Sequence, residues 1–222
     1  MFLSRGTGRV MIDRSLRVAK DTVLVPLARP LAGRIGPHWI TAVALAASLG
    51  AAVLAGAGLR WQAVALWTAG RVLDGLDGLV ARQSGQQSDL GGYLDMMADT
   101  VGYAAVPIGV AVAQAESAVW VTCAVLLAMF YLNTMSWTYL AAIAEKRGSG
   151  AAKTGEHTAI HMPVGLVEGA ETIVFFLAML AWPAQAIVWF PLMAALVAVT
   201  ALQRLVWAVG YLGSAPLMPP TS

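Results

Sequence analysis

Charged residues are scarce in this chain of 222 residues: 14 Lys and Arg with 12 Asp and Glu amount to 12%, against about 25% in an ordinary soluble domain. That shortage excludes a water-soluble globule of usual surface. Cysteine is nearly missing as well. Cys123 stands alone inside an apolar run, so no disulfide framework exists and no redox compartment follows from it. A net charge of +2 has no strong sign, and no nucleic-acid partner is expected. The first 35 residues are basic and lack a matching apolar core segment, so no cleavable signal peptide is read there. What is plentiful is apolar: 59% of the residues are hydrophobic and the mean hydropathy is +0.70.

That composition reads as an all-α polytopic membrane protein. Six spans fit the apolar runs: about Trp39 to Leu59, Trp61 to Arg82, Asp89 to Gln114, Ala118 to Ile143, Ala159 to Trp182 and Ala184 to Leu212. Trp39, Trp61, Trp120, Trp182 and Trp207 fall near span ends, where amphipathic rings anchor at the interface. The N-terminal segment holds Arg5, Arg9, Arg14, Arg17, Lys20, Arg29 and Arg34, and the loop after span four adds Lys146, Arg147 and Lys153. Only Arg60 falls on the opposite side. The positive-inside bias therefore puts both termini, and the loops at 83–88 and 145–158, in the cytoplasm, with the protein in the inner membrane. Residues 1–37 form a basic cytoplasmic segment, in which about Arg14 to Ala28 has the pattern of an amphipathic helix on the inner leaflet, ended by Pro30 and Pro37. A partly ordered basic tail fits the same residues. Residues 38–213 form the six-helix domain, and 214–222 are expected to be a disordered tail.

The chemistry is concentrated in one stretch. Asp74, Asp77, Asp95 and Asp99 fall within 26 residues of an otherwise apolar region. Ionisable groups at a bilayer are costly and mark sites, and four such acids repel one another unless cations neutralise them. On a helix Asp74, Asp77, Gly78, Ala81 and Arg82 share one face, and Gly91, Asp95 and Asp99 share a face of the next. A short loop, QSGQQS, joins the two, so two antiparallel helices aim four carboxylates at one another just below the inner surface. Oxygen-only sites suit hard divalent cations, and Mg²⁺ binds through carboxylates plus substrate phosphates. Two ions sharing such ligands serve a displacement at phosphorus. Gly75, Gly78, Ala81, Gly91 and Gly92 leave a groove for a neighbouring helix or a flat ligand.

The string Asp74-x-x-Asp77-Gly78-x-x-Ala81-Arg82, eight residues, Gly91-x-x-x-Asp95-x-x-x-Asp99 resembles the signature of the CDP-alcohol phosphotransferases at all eight positions. The resemblance implies a six-span enzyme that transfers a substituted phosphate from a CDP-alcohol to a small alcohol and releases CMP. It implies Asp74, Asp77 and Asp95 as metal ligands for two Mg²⁺ or Mn²⁺ ions, and Asp99 as metal ligand and general base. Asp74, Gly78, Ala81, Arg82 and Gly91 would contact the nucleotide. CDP-diacylglycerol is the donor that compact bacterial members suggest, and a homodimer is the assembly. Family members often carry Pro-Asn-x-x-Thr before the first span; here Pro37-His38-Trp39-Ile40-Thr41 has His in place of Asn, and His38 reads as an interfacial residue without a catalytic role.

The acceptor is open. Span five carries Glu168 and Glu171 one turn apart. Relatives using inositol phosphate have arginines after these glutamates where this chain has Gly169 and Thr172, which argues against a phosphorylated inositol. The glutamates suit an amine or polyol hydroxyls, or an ion pair with Arg204. Arg34, Arg71, Lys146, Arg147, Lys153 and Arg204 are the cations in reach, of which Arg34, Arg71, Lys146 and Lys153, with the two glutamates, are the acceptor-binding candidates. His157 and His161 share a face without further soft ligands and do not make a metal site. Two other classes compete. A cation transporter needs polar positions across the whole membrane, whereas the outer halves of spans two and three are apolar. An intramembrane prenyltransferase has its acidic motifs far apart in sequence, whereas one short loop separates them here.

Overall fold

The computed structural model describes residues 24–147 and 169–214. Among them every regular element is helical: α1 (Pro37–Gly56), α2 (Arg60–Ser84), α3 (Asp89–Gln114), α4 (Ser117–Lys146), α5 (Gly169–Ala181), a 3₁₀ turn (Pro183–Gln185) and α6 (Ala186–Ser214). Four helices are long and apolar enough to cross a membrane: α1, α3, α4, and α6 taken with the 3₁₀ turn. Helix α2 is not among them, because Arg71, Asp74, Asp77 and Arg82 interrupt its apolar run. The amphipathic helix expected over 14–28 lies almost wholly outside the described residues, as do Lys153, His157, His161, Glu168 and the tail from residue 215.

The chain forms two compact units, Met1–Trp120 with Phe176–Ala186, and Val121–Phe175 with Ile187–Ser222. In the first, small residues draw three helices together. A Cβ at Gly109 of α3 would overlap the backbone of Ala52 on α1, and one at Gly56 would lie 3.5 Å from the Gly109 carbonyl oxygen. Gly70 of α2 and Gly102 of α3 both face Ser48 of α1, with Cβ positions 3.4 and 3.3 Å from its Oγ. Lipid supplies no hydrophobic drive between helices, so close approach at glycines provides the van der Waals contact that holds them. A short helical turn at 24–28 packs beside this bundle: Leu24 and Ala28 are buried with Ile40, Leu76, Leu79 and Val80.

The α2–α3 connection is set locally. Helix α2 ends on Gly85, whose φ of 67° is left-handed and suits glycine as a C-cap. Ser88 caps α3 by accepting a hydrogen bond from the Gly91 N–H at 3.1 Å. The second unit buries Leu126, Leu140, Met193 and Val197, and within it Arg204 Nη1 of α6 donates to the side-chain amide oxygen Oδ1 of Asn133 on α4 at 2.6 Å. An arginine in an apolar helix needs such a partner.

Outward faces are apolar: Val53, Val121, Val174, Val206 and Val209 are all well exposed, as a lipid-facing surface requires. Trp39, Trp61, Trp120 and Trp182 are exposed near helix ends, matching the anchor positions read from sequence, and Trp207 stacks on Tyr211. Trp67 is different, being fully buried.

Gly109→Ala places a methyl group against the Ala52 backbone, and overpacking of this kind costs about 1–3 kcal/mol. The detergent-solubilised variant is expected to melt several degrees below wild type. An unchanged melting temperature would show that α1 and α3 are not in close contact there.

Candidate active site

The N-terminal turns of α1, the second half of α2, residues 86–88 and the first turns of α3 enclose a pocket of about 200 Å³. Helix α1 contributes Pro37, His38 and Thr41; α2 contributes Asp77, Gly78, Ala81 and Arg82. Gln86, Gln87 and Ser88 come from the connection, and Gly91, Gly92 and Asp95 from α3. Six of the eight signature positions thus line one cavity. The i, i+3, i+4 spacing of α2 and the four-residue spacing of α3 turn their faces toward each other.

The glycines make room here. A side chain at Gly91 would meet the His38 ring, Cε1 being 3.2 Å from the Cβ position, and one at Gly78 would meet Arg82 Nη1 at 3.3 Å. His38, read from the sequence as interfacial, is exposed and also forms part of this wall.

The four aspartates are held in different ways. Asp77 is buried, and the Thr41 hydroxyl lies 2.6 Å from its Oδ2 and 3.2 Å from the Pro37 carbonyl oxygen. Asp99 and Asp74 do not line the pocket. They meet Arg71, whose Nη1 donates to Asp99 Oδ1 at 2.6 Å and lies 3.6 Å from Asp74 Oδ1. Asp95, back in the pocket wall, is half-buried. The Asp74 carboxylate lies within electrostatic reach of Asp99, Asp95 and Asp77, with Arg71 as the opposing charge. Both acidic motifs therefore act on one electrostatic neighbourhood, as the spacing requires.

Arg71 rests on an aromatic wall. Its guanidinium carbon lies 4.7 Å from the Trp67 ring centroid and 5.2 Å from that of Tyr103. Trp67 stacks on Phe176 at 4.9 Å and meets Tyr103 edge-on at 5.8 Å. The Ser48 hydroxyl oxygen accepts from Arg71 Nη2 at 3.2 Å, and the Tyr103 hydroxyl lies 3.4 Å from Nη1. Arg71 was an acceptor-binding candidate in the sequence; the structure directs it to the aspartates. Its place three residues before Asp74 on the same helix face was the available signal. Thr41 was visible as the last residue of the Pro-x-x-x-Thr stretch but not as a partner of Asp77, and Ser48, Trp67 and Tyr103 had no signal, because their roles arise only from packing between helices.

Of the remaining acceptor candidates, Arg34 belongs to the first unit and does not line the pocket, and Lys146 and Glu171 belong to the second unit. Arg34 and Lys146 are exposed, Lys146 in the last turn of α4, and Glu171 is exposed in the first turn of α5. Lys153 and Glu168 lie outside the described residues. Arg204, a possible partner for the glutamates, has Asn133 as a close acceptor.

Among the described residues, no three His, Cys, Asp or Glu side chains form a ready metal-ligand cluster. The donor chemistry still fits a hard cation. All four candidates are carboxylates, their charges converge, and a guanidinium already stands in as the cation between Asp74 and Asp99.

Converging aspartates at the joined ends of two antiparallel helices thus lie at and beside one pocket, and every regular element among the described residues is helical. The sequence profile of the CDP-alcohol phosphatidyltransferase family matches residues 34–207, and the chain belongs to that family. It is 34% identical over 212 residues to the inner membrane protein YnjF of Escherichia coli, an alignment covering 91% of this chain and 96% of the other. Its fold resembles the phosphatidylinositol phosphate synthase PgsA1 of Mycobacterium tuberculosis. Against the form with CDP-DAG bound, the TM-score is 0.69 at 20% identity, covering 89% of this chain and 99% of that one. Against the form with manganese and citrate, the TM-score is 0.67 at 22% identity, covering 89% and 95%.

Thr41→Val removes the hydroxyl beside buried Asp77. Loss of a hydrogen bond to a charged group costs about 1.5–3 kcal/mol, so the variant is expected to melt below wild type while Thr41→Ser stays close to it. Equal melting of Thr41→Val and wild type would show that this contact does not hold Asp77.

Proposed function

We propose that this protein transfers a substituted phosphate group from a CDP-alcohol, with CDP-diacylglycerol as the donor, to a small alcohol and releases CMP. The observation that carries this reading is the single pocket lined by Asp77, Gly78, Ala81, Arg82, Gly91 and Asp95. Both halves of the signature contribute to it. A relative of the same fold holds CDP-DAG in one structure and manganese in another, which supports a CDP-lipid donor and divalent ions.

In this reading Asp74, Asp77, Asp95 and Asp99 would hold two Mg²⁺ or Mn²⁺ ions, which when bound would supply charge neutralisation at the pyrophosphate and Lewis acidity toward the acceptor hydroxyl. Gly78, Ala81 and Gly91 leave space for the nucleotide between α2 and α3. Arg82 folds back over Gly78, its Nη1 3.3 Å from that residue's Cβ position, so its charge is available to the phosphates. The acceptor oxygen forms a bond to the β-phosphorus as the bond from that phosphorus to the bridging oxygen breaks. The bridging oxygen leaves on CMP, and the hydroxyl proton passes to Asp99. A carboxylate is a weak base, so its contribution rests on position.

The same reading places six spans in an inner membrane, with both termini and the pocket toward the cytoplasm, where CDP-linked substrates and Mg²⁺ are available. The excess of Lys and Arg at 5–34 and 146–153 supports that sidedness, and the name of the Escherichia coli relative supports the compartment. A homodimer is the assembly we expect.

Purified protein supplied with CDP-diacylglycerol, Mg²⁺ or Mn²⁺, and each of glycerol 3-phosphate, inositol phosphate, inositol, serine, choline and ethanolamine should release CMP with one of them. Identification of the lipid product names the acceptor. Asp99→Asn is expected to abolish turnover and largely spare nucleotide binding. Full activity in that variant would end the assignment of Asp99 as base, and metal-dependent ion flux without CMP release would favour a transporter.

A further inference from the structure

Arg71 is an arginine that is largely buried and contacted on several sides. Its side chain is 9% exposed, against 35% for Asp99. Carboxylates of both acidic motifs lie on one side and the Trp67 and Tyr103 rings on the other. The Ser48 hydroxyl takes Nη2 and itself lies 3.0 Å from the Ala44 carbonyl oxygen on α1. Trp67 is completely buried and stacked on Phe176, so the wall behind the guanidinium is rigid. A guanidinium stays charged in any protein environment. A permanent positive charge is therefore fixed in the middle of a group of carboxylates.

Two consequences follow from elementary electrostatics. The bond to Asp99 Oδ1 fixes that carboxylate's orientation and leaves Oδ2 as its free oxygen. The same charge repels any cation that approaches Asp74 and Asp99. We propose that Arg71 is a resident counter-cation of the aspartate site: a positioning residue that orients Asp99 and holds the site's affinity for divalent ions below what its carboxylates alone would give. This rests on the reading of the aspartates as a divalent-cation site. It differs from a purely structural role, in which Arg71 only ties α1, α2 and α3 together.

The test uses full-length protein in detergent, with Mn²⁺ titrated in the absence of nucleotide and free Mn²⁺ followed by electron paramagnetic resonance. Arg71→Gln removes the charge and Arg71→Lys keeps it without the fork. Arg71→Gln is expected to bind Mn²⁺ about fivefold tighter or more, since a like charge a few ångströms away has been removed. Its kcat for CMP release should fall about tenfold or more because Asp99 is no longer oriented. Arg71→Lys should bind Mn²⁺ within about twofold of wild type, since the charge remains, with kcat between the other two. Melting temperatures show which variants are folded.

Unchanged or weaker Mn²⁺ binding by folded Arg71→Gln overturns the proposal. Should Arg71→Gln fail to fold, Arg71→Lys decides: near-wild-type Mn²⁺ affinity with reduced kcat supports it, and weakened Mn²⁺ binding overturns it. A wild-type protein that binds no Mn²⁺ removes the divalent-cation reading itself, and this proposal with it.

Discussion

Mutual repulsion among Asp74, Asp77, Asp95 and Asp99 is the constraint around which the first unit is arranged. Carboxylates on neighbouring apolar helices stay ionised only if something opposes their charge. Asp77 has a hydroxyl, from Thr41. Asp99 and Asp74 have a guanidinium, and that guanidinium needs its own support. Ser48 reaches it because Gly70 and Gly102 let α2 and α3 close on the same point of α1. The aromatic wall of Trp67, Tyr103 and Phe176 fills the apolar side. The glycines, the buried serine and the buried tryptophan are thus parts of one arrangement, and each would look arbitrary without the charges it serves.

Much of this was legible in the sequence, for reasons that are local. Apolar runs of bilayer length set α1, α3, α4 and α6, and Gly85 and Ser88 mark where α2 stops and α3 starts. The expected second span, Trp61 to Arg82, falls inside α2, and the expected third span has the limits of α3. Helical periodicity was enough to put each acidic motif on a single face, and one short loop was enough to set the two faces together. The family signature rests on the same local spacing, which is why it could be read from a stretch of 26 residues.

What stayed hidden depends on contacts between segments far apart in sequence. Asp99 lies 28 residues from Arg71, and Thr41 lies 36 from Asp77. No periodicity links such pairs. Arg71 was visible only as one more cation that could serve an acceptor phosphate, since pattern reading cannot show that its surroundings are already taken. Tryptophan shows the same limit: composition marks rings at helix ends as interfacial anchors, yet Trp67 is mid-helix and packs under an arginine. His38 carries the converse lesson. An exposed position near a span end suggested the interface, whereas the absence of a side chain at Gly91 draws the ring into the pocket wall.

The pocket and the ion pair divide the signature between them. Asp77 and Asp95 line the pocket, while Asp74 and Asp99 face Arg71. The guanidinium holds one oxygen of Asp99 at 2.6 Å. Orientation is what the same bond provides: one oxygen is held, and the other is left free in a constant direction. In the proposed reaction, alignment of this kind would let a well-placed carboxylate act where a mobile one could not. Position is what this geometry would contribute to the proposed chemistry.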